Sequence, residues 1–154
     1  MAIPFTFNIA KGRVVELYSR VDNNSPSGCC LWLIPCSAGD TEANAQDADT
    51  VTQALATAID ERTTGGWVRK KLVDADLAEL PAPDDTNNRY DIAVPQVTWT
   101  TPASGNNTTH LLIAYDPTGS SADTALIPIS FHAFAVTTDG NDVVLNAGSF
   151  MQSS

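Results

Sequence analysis

The chain reads as mainly β: an antiparallel sandwich or partly open barrel with one amphipathic helix packed on it. Three observations predict this. Short apolar or alternating runs recur along the 154 residues, bounded by polar turns instead of helical crossovers. Cys29–Cys36 is almost continuously apolar, with the length of a strand buried on both faces. One segment, residues 50–63, carries both a helix start signal and a helical apolar stripe.

Taken in order, Phe5 and Phe7 alternate with Thr6 and Asn8, as in a strand, and Lys11-Gly12 marks a turn. Residues 13–21 read as a second strand, with Val15 and Leu17 on one parity and Val14 and Tyr18 off it. Residues 22–28 are dense in Asp, Asn, Ser, Pro and Gly, the chemistry of a turn. Pro35 is expected at the end of the buried Cys29–Cys36 strand, because proline donates nothing to a ladder. Thr50 and Gln53 form a capping-box pattern, and Val51, Leu55, Ala58 and Ile59 share one helical face of about three turns ending at Gly65-Gly66.

Residues 67–73 can extend as a strand, and residues 81–88 break the chain. Tyr90, Ile92 and Val94 alternate with polar neighbours, and Val97-Thr98-Trp99 continues the pattern past Pro95. Residues 110–115 and 126–136 are strands, the second interrupted by Pro128. Asp139-Gly140 is the strongest hairpin signal, so residues 142–146 are expected to pair back on the preceding strand. No repeat and no linker divide the chain, which reads as one domain over 1–154 with residues 1–8 as a possible docking arm.

Eighteen acidic residues oppose eight basic ones, a formal net charge of −10. Such a chain repels a phosphate backbone, so direct nucleic-acid binding is not expected. No apolar run is long enough to span a bilayer and no secretory signal is evident, so no membrane association is expected. The cysteines, Cys29, Cys30 and Cys36, are odd in number and read as reduced, buried thiols. With His110 and His132 on strands, neither a metal set nor a nucleophile–base pair takes shape. The carboxylates cluster near turns, where Asp bonds its own backbone. The expectation is therefore no enzyme, no cofactor and no metal. Arg62, Arg69, Lys70 and Lys71 are half of all the basic residues, a local reversal of sign suited to salt bridges or to an acidic partner surface.

Ile3-Pro-Phe-Thr-Phe-Asn8 and Lys11-Gly-Arg13 open the chain; Asp85-Thr-Asn87 and Val97-Thr-Trp99 follow in its middle. Tyr115-Asp116-Pro117, Ile127-Pro128, Phe134-Ala-Val-Thr-Thr-Asp-Gly140 and Ser149-Phe150 close it. In this pattern the chain resembles small structural proteins of tailed-bacteriophage virions, within which the capsid decoration, or cement, type fits best. The resemblance implies a trimer made in the host cytoplasm that binds the major capsid protein on the outer head surface and bridges neighbouring capsomers. It carries no catalytic residues. A minor tail or head–tail joining component is the alternative, followed by a virion-surface receptor- or glycan-binding module. Docking is expected to fall to the apolar opening, Ile3, Pro4, Phe5 and Phe7, and to Arg69, Lys70 and Lys71.

Overall fold

The computed structural model describes residues 4–153, with side chains through Ser149. It is mainly antiparallel β, with 34% of residues in strands against 16% helical, so sheet pairing sets the architecture. The main sheet runs in the order β1 (Phe5–Thr6), β8 (Ile127–Val136), β7 (Thr108–Asp116), β2 (Cys30–Ala38) and β3 (Asp60–Glu61), with β4 (Lys70–Leu72) also on β2. Every pairing in it is antiparallel.

At its centre, β2 and β7 pair over seven consecutive positions, from Cys30 opposite Asp116 to Cys36 opposite His110. Leu31, Leu33, Leu111, Ile113 and Tyr115 face one core; Ile34, Cys36, Leu112 and Ala114 face the other. Both faces are covered, which is why the Cys29–Cys36 run lacks alternation. Pro35 lies within β2, not at its end. Its neighbour on that edge changes there: β4 covers Leu31–Leu33 and β3 covers Cys36–Ala38. The Pro35 carbonyl on that side accepts the Arg62 N–H at 2.9 Å, so the missing donor falls in the gap between two short strands.

Residues 13–21 correct the strand expected there. Val14–Asp22 is a helix, α1. Val14, Leu17, Tyr18 and Val21 recur at i, i+3, i+4 and i+7, and all four are buried against the sheet. Two-residue parity concealed this stripe because Val14 and Val15 are both apolar. The helix expected over 50–63 is shorter. After α2 (Glu42–Ala45), α3 spans only Val51–Leu55. Its start is as the sequence implies: Thr50 Oγ1 accepts the Gln53 N–H at 3.2 Å, and Gln53 Oε1 accepts the Asp49 N–H at 2.7 Å. Its end is imposed from elsewhere. The Thr57 hydroxyl donates to the Ala54 carbonyl, Asp40 Oδ2 accepts the Ala58 N–H at 3.0 Å, and the chain turns into β3. Ile59 is still buried, but it enters its core from the approach to β3.

Over the α1-side core lies a second layer of β5 (Tyr90–Val94), β6 (Val97–Trp99), β9 (Val143–Leu145) and β10 (Gly148–Ser153). β10 pairs β5 and β9 pairs β6. Val94 opposes Gly148 and Val97 opposes Leu145: three residues forward on one strand match three back on the other. The four strands thus form one long two-stranded ribbon whose register runs unbroken across the bend at Pro95-Gln96 and shifts by one residue at a bulge between Ser149 and Met151. Val94 and Val97 both point inward, so the inward phase slips at that bend. The hairpin expected between 126–136 and 142–146 does not form. Asp139 closes a tight turn, its carboxylate accepting the N–H and side-chain amide of Asn141, but Val143–Leu145 does not return on β8. The returning chain joins β6 instead.

Trp67 and Trp99, 5.3 Å apart, fill the space between the layers with Phe134. Each indole N–H is satisfied by a carbonyl: Trp67 by Asn106 at 2.6 Å and Trp99 by Val68 at 2.8 Å. The opposite core packs Phe5, Phe7, Ala45, Val51 and Ala54 against Leu112, Leu126 and Phe131.

These positions set a contrast between the two helices. Leu17→Ala, at a site without solvent exposure, is expected to cost about 3 kcal/mol, whereas half-buried Leu55→Ala is expected to cost about 1 kcal/mol. Urea denaturation of the two variants measures the order, and equal losses would contradict the packing described.

Candidate functional site

The opening segment and the basic segment were the expected docking residues, and the fold uses most of both internally. Ile3 lies outside the described residues, and Pro4 is exposed. Phe5 and Phe7 are buried, their rings 5.0 Å apart, and Phe5 lies 5.6 Å from Phe131. β1 pairs with β8 through Phe5 opposite Phe131 and Thr6 opposite Ser130, and the Phe7 N–H donates to the Ile129 carbonyl at 2.9 Å. This corrects the docking-arm expectation for Phe5 and Phe7: an apolar terminus can be explained by a partner or by the chain's own core, and here the core takes both rings.

Arg69 is likewise committed. Its Nε and Nη2 donate to Glu61 at 2.7 and 2.6 Å, and its other face holds Asp123 through Nη1 and Nη2. Two bidentate pairs on one planar guanidinium tie β3 to the 117–126 loop. Donating to Asp123 and Glu61 raises the Arg69 pKa still further, and accepting from Arg69 lowers the pKa of Asp123. Arg62 is occupied too, donating from Nε and Nη2 to the Asn107 carbonyl.

Lys70 and Lys71 remain on the surface segment. They lie opposite Leu33 and Trp32 on β2, and successive residues of a strand point to opposite faces. Lys71 Nζ sits 5.8 Å from the centre of the Trp32 ring and donates to the Gly119 carbonyl at 2.8 Å. Gly119 adopts φ +74°, and a Cβ there would lie 2.3 Å from the Gly28 carbonyl oxygen, so only glycine fits this crossing of two loops.

Beneath that crossing is Asp116, a fully buried carboxylate. It accepts from the Trp32 indole at 3.0 Å, the Thr118 N–H at 2.9 Å, the Ser121 N–H at 3.2 Å and the Ser121 hydroxyl at 2.6 Å. Burial alone would raise its pKa; these donors outweigh it and bring the pKa down to about 2. The sequence showed Asp116-Pro117 only as the end of a strand. That the carboxylate anchors a loop depends on Trp32, 84 residues away, and leaves no local signal.

The nucleophile and base candidates are placed where they are chemically quiet. Cys29, Cys30 and Cys36 are free and buried. Burial pushes the Cys30 and Cys36 thiols up to about 12 and raises that of Cys29. Cys36 lies opposite His110 on one side and Glu61 on the other, an order that could suggest a catalytic row. The Cys36 thiol donates instead to the Ile34 carbonyl, while the His110 ring stacks on Phe131 at 4.8 Å and its Nδ1 contacts Thr109. Burial lowers the pKa of His110, and brings that of His132, beside the Ser130 hydroxyl, down to about 4.

Among the described residues no group of three or more His, Cys, Asp or Glu side chains is arranged to hold a metal ion, and no helix is long and apolar enough to cross a membrane. A surface depression of about 600 Å³ lies over α1 at Arg20, Ser19, Asn23 and Pro26. A second, of about 410 Å³, shares Ser19 and Asn23 with it. Their polar groups are partly engaged: Arg20 pairs with Glu16 at 2.7 Å, and the Asn23 amide donates to the Ser19 carbonyl. Comparison of the chain with protein-family models, curated proteins and solved structures gives no match.

The buried ionisable groups set an acid response. His132, with a folded pKa of about 4 against about 6.5 unfolded, favours the fold fully above pH ~6.5; that contribution, on the order of 3 kcal/mol, is lost as pH falls towards 4. Asp116, depressed to about 2, adds stability present above pH ~4 that is lost between about 4 and 2. Denaturant melts at pH 7, 5.5 and 4 are expected to show the first loss in the wild type and a much flatter response in His132→Gln. An equal slope in the variant would contradict the assignment.

Proposed function

We propose that this chain is a non-catalytic structural protein of a tailed-phage virion, binding the outer head surface through the major capsid protein and stabilising the shell by bridging capsomers. The sequence pattern at the opening, middle and end of the chain supports the reading. The observation that carries the non-catalytic part is how the reactive groups are spent. The thiols are buried and protonated, the histidines are pushed towards neutrality, Asp116 is saturated with donors, and Arg69 is shared by two carboxylates. Chemistry that could act on a substrate instead supports loops and strands, as suits a protein whose work is to resist force through contact area.

Because Phe5 and Phe7 serve the core, docking falls to the outer surface. Lys70 and Lys71 carry the positive charge of β4 on a molecule of net charge −10, and they suit an acidic patch on the shell. Arg69→Ala is not a clean probe of that contact, since it leaves Glu61 and Asp123 without their shared cation.

The test is sedimentation of purified protein with mature, expanded heads and with immature heads of the virus that encodes it. Saturable binding to expanded heads is expected, with Lys70→Glu/Lys71→Glu binding at least tenfold more weakly and with reduced salt dependence. Absence of head binding, with the protein found on tails in labelled virions, would overturn the assignment.

A further inference from the structure

We propose that Asp139-Gly140 is a site of spontaneous covalent modification, where the folded chain converts aspartate to isoaspartate through a cyclic imide formed with its own backbone. The motif is the strongest hairpin signal in the sequence, yet the fold does not use it to pair β9 with β8. It is also the only place in the chain where Asp or Asn precedes Gly. The inference stands apart from head binding, since it concerns the protein alone.

The chemistry needs only water. The Gly140 nitrogen attacks the Cγ of the protonated Asp139 side chain. An N–Cγ bond forms, and the hydroxyl of the acid leaves with the amide proton as water. The product is a five-membered succinimide. Water then adds back at either carbonyl. Addition at Cγ restores aspartate. Addition at the main-chain carbonyl breaks its bond to the Gly140 nitrogen, which takes up the proton. The chain then runs through Cγ and bears a free α-carboxylate. One water is lost and one regained, and nothing is oxidised or reduced.

The turn is built to allow this. Asp139, Gly140 and Asn141 are all exposed. Gly140 adopts φ +92°, and a Cβ there would meet nothing within 4 Å, so no packing restrains its peptide and no side chain shields its nitrogen. The Asp139 carboxylate accepts the N–H and the amide of Asn141, each at 3.0 Å, which folds it back along the Gly140 peptide. Both flanks are pinned. The Thr138 N–H donates to Asn107 Oδ1 at 3.0 Å and its hydroxyl to the Ala103 carbonyl at 2.8 Å. Asp142 Oδ1 accepts the Thr101 N–H at 2.8 Å. The methylene that isoaspartate adds to the main chain is therefore confined to residues 139–141, and the strands on either side keep their places. Other aspartates lack these conditions. Asp116 precedes Pro117, which has no N–H to attack, and Asp123 precedes Thr124 and is held by Arg69.

The experiment incubates the folded protein in heavy-oxygen water at about pH 6 and 37 °C, then reads its peptides by mass spectrometry. The bonds from Asn141 lower the Asp139 pKa, and mild acid supplies more of the protonated form that closes the ring. The peptide containing Asp139 is expected to take up one heavy oxygen and to split into two chromatographic forms. One of these should resist an aspartate-specific protease at that position. Labelling there should be at least tenfold faster than at any other aspartate, and at least tenfold slower in Asp139→Glu, where the ring would need six members. Circular dichroism checks that the variant is folded, and the wild-type comparison among aspartates does not depend on it. The isomerised protein should keep the urea midpoint of the unmodified one. An unlabelled Asp139 peptide, equal labelling at several aspartates, a folded Glu variant that labels like wild type, or a lowered midpoint would each overturn the inference.

Discussion

The rest of the structure depends on the antiparallel pairing of β2 with β7. Both strands are apolar on both faces and neither can present a face to water without large cost, so each face must be covered. One cover is α1 with the bent ribbon; the other is α3 with the aromatic side chains of the opening segment. This explains why an apolar N-terminal run is not spare. Phe5 and Phe7 complete the second core, and removing them would leave Ile34, Leu112 and Phe131 under-packed. The ends of the same pair position the loops: Asp116 closes β7 and clamps the turn that crosses at Gly28 and Gly119, and His110 meets Phe131 at the other end.

Charge is used in a similarly economical way. The basic segment is a junction before it is a surface: Arg69 spans from β3 to Asp123, Arg62 holds the Asn107 carbonyl, and Lys71 caps Gly119. These contacts anchor two loops, the one that leads into β7 at Asn107 and the 117–126 loop that follows it. The carboxylates at turns accept from nearby backbone, as Asp40, Asp84 and Asp139 do. What is left is an acidic exterior, interrupted by Lys70, Lys71 and an uncharged C-terminal strand.

Much of this was legible in the sequence. The buried strand at Cys29–Cys36, the alternating runs at 90–99, the Thr50–Gln53 cap and the free thiols follow from local pattern and chemistry. What was not legible has two physical causes. Where adjacent residues are both apolar, as at Val14-Val15, a helical stripe and a strand parity fit the same letters, and only the sheet face that must be covered decides for α1. Where an element's end or partner is set by distant residues, local signals mislead: Asp40 helps end α3, and after Asp139-Gly140 the chain pairs with Val97–Trp99 instead of the strand before the turn. For the docking residues, the sequence located the apolar and basic segments but not their partners, since Phe131 and Asp123 lie far along the chain from Phe5 and Arg69.

Native-state hydrogen exchange tests the central role of the β2–β7 pair most directly. If that pair organises the fold, the amides shared by Leu31–Ile34 and Leu111–Ala114 exchange only through global unfolding, with a free energy equal to that from denaturant melts. Those of β1 and β10, which lie at sheet edges, then exchange through smaller local openings. Faster exchange in β2 and β7 than in the β5–β10 ribbon would contradict the account.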